Sequence, residues 1–194
     1  ALRYGVKFIS IAFFLRNPDD AVVWRGPMFG KAIHQLFHDV QLGDIDIAVI
    51  DLPPGTGDAQ LSLAQMVNLD GAVVVTTLQE VAVSDVRRAI KMFEKVNVDV
   101  LGVIENMAGF TAPSGERFDI FGTGGGEELA AQYSIPFLGS LPLDMAIRVG
   151  GDRGEPVALD RTSASGKLFT ELAERVLSEI RSRKGSQPVL NVVN

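Results

Sequence analysis

Cysteine is absent from all 194 residues. That removes disulfides, thiolate nucleophiles and thiolate-ligated metal from the chemistry open to this chain, and it fits a cytoplasmic protein. Histidine is scarce as well. His34 and His38 lie four apart on an expected helix, which is a metal-ligand spacing, but no Glu follows His34 as a zinc protease motif requires. Ordinary surface helix residues are the simpler reading. No apolar run approaches the 18 residues that a membrane span needs. The apolar first fifteen residues carry Arg3 and Lys7 and no small-residue cleavage site, so they read as a strand and not as a signal peptide. A net charge of -6 argues against a broad nucleic-acid surface.

What is present reads as a globular α/β chain. Hydrophobic residues make up 46% and charged residues 22%, enough for one well-buried core at this length. Short apolar runs at 6–13, 45–50, 72–77, 98–104 and 136–141 are expected strands, and 22–24 extends a further segment. Helices are expected at 28–41, at 58–68 capped by Asp58, from Ser84 through Phe93, at 127–132 and at 163–182. In the last of these, Leu168, Leu172, Val176 and Ile180 recur every four residues. The alternation predicts a three-layer α/β fold, a mostly parallel sheet with helices on both faces. We expect one domain over 1–183 and a tail over 184–194.

Such sheets bind ligands beyond the carboxyl ends of their strands. The segment Ile50-Asp51-Leu52-Pro53-Pro54-Gly55-Thr56-Gly57-Asp58 is the most informative of those ends. Asp51 closes an apolar run where a carboxylate can accept a hydrogen bond from water on a magnesium ion, a metal that keeps several waters and takes few carboxylates. Pro53, Pro54, Gly55 and Gly57 shape a turn able to pass close to a terminal phosphate; the plainer alternative is a strand-end Asp that caps a turn. Asp58 either caps its helix or helps place a nucleotide-responsive loop. Asn106 can offer its amide edge to a base or simply form a turn. Pro142-Leu143-Asp144 can supply backbone groups around the same base, and Thr76 and Thr77 suit a strand end.

Three glycine-rich stretches fall short of a phosphate-binding loop. Gly26-Pro27-Met28-Phe29-Gly30-Lys31 is one residue short and is followed by Ala32; Ser163-Ala164-Ser165-Gly166-Lys167 lacks the first glycine. Gly122-Thr123-Gly124-Gly125-Gly126 precedes a helix, but Glu127 and Glu128 already complement the helix dipole, which favours a turn or interface loop.

Taken together, Val23-Trp24-Arg25-Gly26-Pro27-Met28, the stretch from Ile50 to Leu61, Gly71 to Thr77, Glu105-Asn106-Met107, Ile120 to Gly126 and Pro136 to Asp144 resemble the Mrp/ApbC family. These are MinD/ParA-like P-loop ATPases described as iron–sulfur cluster carriers, and the similarity runs from about Tyr4 to Arg183. The resemblance implies an ATP-binding, ATP-hydrolysing homodimer, with Asp51 as the Walker B carboxylate on magnesium and Asn106 contacting the base. It also implies iron–sulfur apoproteins as clients. A deviant Walker A loop with its lysine would precede Ala1. The family's paired cysteines would fall between Phe110 and Gly115, where this chain reads Phe110-Thr111-Ala112-Pro113-Ser114-Gly115. Neither Ala112 nor Ser114 replaces a soft thiolate toward iron. A nucleotide-gated adaptor or scaffold of the MinD/ParA type without a cluster is the alternative that this loop favours.

Overall fold

The computed structural model describes residues 1–14, 17, 34–37, 39–52 and 57–184. They fall into two compact units, Ala1–Asn68 and Leu69–Asn194, and each is taken by itself.

In the first unit, β1 (Leu2–Arg3) and β2 (Val6–Lys7) pair antiparallel. The strand expected over 6–13 therefore stops early. Tyr4 and Gly5 both take positive φ, which folds the chain into a tight hairpin, and a 3-10 turn follows at Ile11–Phe14. Residues 34–37 are helical, as the 28–41 pattern predicts; the rest of that pattern through residue 33, His38, the segment 22–24 and the Gly26–Lys31 loop lie outside the described residues. The 45–50 run, expected as a strand, takes part in no ladder among the described residues, and Ile45, Ile47 and Val49 are exposed. An apolar run becomes a strand only where a neighbour accepts its hydrogen bonds. Helix α1 (Asp58–Met66) begins as expected, but its N-cap is Gly57, so Asp58 is the first helical residue and not the cap. Gln60 and Leu63 are its buried positions.

The second unit holds the sheet. Strands β3 (Ala72–Thr76), β4 (Val100–Glu105) and β7 (Phe137–Ser140) run parallel in the order β3-β4-β7. Helix α2 (Glu80–Lys95) packs on β3, and α3 (Gly125–Tyr133) on β4. Between them in the chain a hairpin pairs two short strands, β5 (Phe110–Thr111) and β6 (Arg117–Phe118). After β7 come α4 (Met145–Arg153), a 3-10 turn at Val157–Leu159, and α5 (Ala164–Lys184), which packs on β4 and β7.

Both faces of the sheet are covered. Side chains alternate along a strand, so Ile104 faces opposite to Val103 and Glu105. Ile104 joins Val73, Leu138, Leu141 and the α5 stripe of Leu168, Leu172 and Val176, while the Glu105 side meets the start of α3. Ile90, Leu129, Leu138 and Val103 are fully buried, each contributing about 1.5–3 kcal/mol of transfer free energy. Ser84 does not cap α2: the helix starts four residues earlier, after Gln79, which brings Val83 into the core beside Ile90, Met92 and Phe93.

The approach to α5 is tightly built. The Asp160 carboxylate accepts from the Thr162 hydroxyl and amide, which hold its pKa below the ordinary carboxylate value. Folding lowers this pKa, so its stabilising effect is complete above the ordinary carboxylate range and is lost as pH falls through the depressed value. Gly166 sits so close to the same turn that a Cβ would lie 1.9 Å from the Asp160 carbonyl oxygen. Gly151, on α4, faces open space. Denaturant unfolding should therefore separate two identical changes: Gly166→Ala destabilises by about 2–3 kcal/mol through overpacking, whereas Gly151→Ala stabilises by about 0.5–1 kcal/mol through helix propensity.

Candidate functional site

The three parallel strands end in one row. Thr76 pairs with Glu105, and Glu105 with Ser140. Beyond that row the following loops are stitched together by the backbone. The Asn106 amide donates to the Thr76 carbonyl at 2.7 Å, Leu141 N–H to Glu105 at 2.8 Å, Ala108 N–H to Leu141 at 2.8 Å and Leu143 N–H to Gly109 at 2.9 Å. Asn106, Pro142 and Asp144 are thereby brought to one edge of the second unit, as the sequence pattern predicts.

Their side chains differ in how committed they are. Asn106 Oδ1 accepts from the Met107 amide at 2.9 Å, which steadies Met107 at a positive φ. Its Oδ1 is thereby engaged, and its amide nitrogen carries the side chain's donors. Asp144 is the N-cap of α4, with Oδ1 accepting from Ala146 N–H at 2.8 Å and Oδ2 accepting from the Ser165 hydroxyl at the start of α5. Its carboxylate therefore ties two helix starts together, and backbone groups of 142–144 face the edge. Thr76 is buried, its hydroxyl donating to the Thr77 carbonyl at 2.9 Å.

On the first unit, Asp51 is exposed at the end of the 45–50 run and Leu52 is half-buried. Gly55 and its neighbours 53, 54 and 56 lie outside the described residues. Among the described residues no group of three His, Cys, Asp or Glu side chains converges to hold a metal. A lone carboxylate such as Asp51 fits magnesium, which keeps most of its waters and takes its remaining ligands from phosphate oxygens.

Glu105 stands in the Glu105-Asn106-Met107 segment singled out in the sequence, which assigns it no role of its own. It is only 5% exposed. Oε2 accepts from Gly126 N–H at 3.0 Å, in the first turn of α3, and Oε1 from the Ser140 hydroxyl at 3.3 Å. The glycine stretch is thereby explained. Gly124 is the N-cap at φ 79, and a Cβ on Gly126 would lie 3.0 Å from the Glu105 carboxylate. An internal carboxylate already occupies the anion position of this helix, so the stretch is a packing device. The available signal was an acid ending a run whose other residues are all apolar or glycine.

The hairpin β5–β6 leaves the same edge through Gly109. Its turn is closed by Ala112 N–H on Glu116 and Gly115 N–H on Ala112, both at 2.8 Å. Ala112 and Ser114 stand there, and neither side chain is a ligand for iron.

Residues 1–177 match the family model described as "ParA: NUBPL iron-transfer P-loop NTPase". The chain belongs to this family. It is 46% identical over 184 residues to an iron-sulfur cluster carrier protein of Aquifex aeolicus, covering 94% of this chain and 50% of that protein. The corresponding protein of Synechocystis is 43% identical over 181 residues, covering 92% and 51%. The chain thus spans about half the length of these curated relatives. Among solved structures, a nucleotide-binding protein from Archaeoglobus fulgidus, in complex with ADP and with cobalt, is 41% identical with a TM-score of 0.59, covering 66% of this chain and 53% of that one. The Pyrococcus furiosus cell division ATPase MinD, 22% identical with a TM-score of 0.55 and covering 77% and 57%, shares the fold. The α/β P-loop NTPase fold read from the sequence is borne out.

The doubly used Asp144 carboxylate gives a stability prediction. Asp144→Ala should cost about 1–2 kcal/mol through loss of the cap. Ser165→Ala should cost less, and the double variant should be less destabilised than the sum of the two in chemical denaturation, because the variants share one hydrogen bond.

Proposed function

We propose that residues 1–183 form the nucleotide-handling domain of an ATP-binding, ATP-hydrolysing iron–sulfur cluster carrier, active as a homodimer in the cytoplasm. The match of residues 1–177 to an iron-transfer NTPase family carries this reading. The convergence of the loops after β3, β4 and β7 at one sheet edge supports it, since α/β sheets take ligands there. The exposed Met107, Leu143 and Met145 beside that edge suit a second subunit.

In this reading Asn106 and the 142–144 backbone receive the base, and Gly55 belongs to the phosphate side. Asp51 would hold magnesium through water, and the ion when bound would supply charge that offsets that of the phosphates. Water attacks the γ-phosphorus, the bond to the bridging oxygen breaks, ADP departs with that oxygen and the proton passes to solvent. The chain's contribution is positioning and electrostatics, with no covalent intermediate on the protein. In P-loop enzymes a phosphate-loop lysine offsets the developing charge. Clusters are cargo for apoprotein clients, and since these 194 residues hold no cysteine, the thiolates must come from elsewhere in the assembly.

The same lack of cysteine favours a second reading, a nucleotide-gated adaptor or scaffold that carries no cluster. Anaerobic reconstitution of the intact protein with iron and sulfide separates the two: near-stoichiometric iron with cluster absorbance supports the carrier, and no retained iron supports the adaptor. For the nucleotide chemistry, Asp51→Asn in the intact protein should slow ATP hydrolysis by about 100-fold or more while changing ATP affinity by no more than about threefold. Equal losses of both would make Asp51 a structural residue.

A further inference from the structure

A buried carboxylate that bonds two elements besides its own strand is a poor candidate for a mere helix cap. Glu105 ends the central strand and immediately precedes Asn106. Its backbone carbonyl accepts from Leu141 N–H, and its side chain holds Gly126 of α3 and Ser140 of β7. Ser140 is in turn the residue before Leu141, whose carbonyl accepts from Ala108 N–H. The loop 106–109 is thus held at its start by Thr76 of β3 and at its far end by the segment after β7, the strand that the Glu105 carboxylate fastens through Ser140. Within that loop Met107 holds a positive φ, a conformation a side chain-bearing residue keeps only when its surroundings enforce it.

We propose that Glu105 is a positioning residue for nucleotide recognition: its carboxylate locks α3 and β7 to the end of β4 and so sets the orientation of the Asn106 amide. This rests on the nucleotide reading above. The bond to Gly126 is charge-assisted and buried, the kind whose removal leaves a backbone donor unpaired. Glutamine preserves the geometry, because its Oε1 accepts from Gly126 and its Nε2 donates to the Ser140 oxygen.

The test uses the intact protein and two readouts. Without ligand, Glu105→Ala should speed amide hydrogen exchange at Gly126, Asn106 and Ala108 by about tenfold or more, and Glu105→Gln by less than about threefold. Faster exchange at Gly126 alone would reduce Glu105 to a helix cap and overturn the proposal. With ATP, Glu105→Ala should raise Kd about tenfold, Asn106→Ala should do the same, and the double variant should be no weaker than either. Additive losses, or failure of Glu105→Gln to restore affinity, count against the positioning role. Should Glu105→Ala not fold, Ser140→Ala removes one of the two side-chain partners and should produce changes of about threefold in both readouts; no change in either overturns the proposal. A wild-type protein that binds no ATP overturns the nucleotide reading and the positioning role with it, before any variant is compared.

Discussion

Loops share a site on a parallel sheet only if the strands that launch them end level with one another. Here that condition is met by the row Thr76, Glu105 and Ser140, whose backbones pair across the sheet. Keeping the row level is a packing problem at the middle strand, because β4 is covered on both faces and its last residue is buried. The Glu105 carboxylate meets that constraint with hydrogen bonds where an apolar side chain would leave the Gly126 amide unpaired. A helix N-terminus carries partial positive charge, so a carboxylate at that point is stabilised by the dipole as well as by the bond. The loops that hold Asn106, Pro142 and Asp144 inherit their positions from this arrangement.

Legibility in the sequence followed the kind of interaction involved. Strands β3, β4 and β7 and helices α2, α3 and α5 were visible because burial writes a periodicity that a single segment carries. Helix α4 was not foreseen: Gly150 and Gly151 dilute its pattern, and its start depends on Asp144, which had been read as a nucleotide-facing residue. The start of α2 was misplaced because Ser84 is a good cap in isolation, while the burial of Val83 requires the helix to begin before it. The expected strands at 6–13 and 45–50 show the limit from the other side. Their apolar composition was legible, but the identity of a pairing neighbour is a property of the whole sheet.

The site was legible to the same degree. Backbone positions at strand ends could be named in advance, which is why Asn106 and the 142–144 loop were found together. Side-chain commitments could not. Asp144 and Glu105 are both acids at strand or helix boundaries, and only their partners reveal that one joins α4 to α5 and the other joins β4 to α3 and β7. Asp51, in the first unit, is the carboxylate that remains exposed. Glu105 is buried and Asp144 half-buried, and each has both carboxylate oxygens engaged by hydrogen bonds.

The same reasoning separates the nucleotide edge from the cargo chemistry. The β5–β6 hairpin is closed by its own backbone bonds, at Ala112 with Glu116 and at Gly115 with Ala112, and by the ladder between Phe110 and Phe118. None of these backbone bonds uses the side chain at position 112 or 114, and the Ser114 hydroxyl adds one of its own by accepting from Glu116 N–H at 3.5 Å. The loop 106–109 that precedes it is held instead by β3 and β7. The hairpin and the strand-end row are therefore closed by separate sets of backbone bonds.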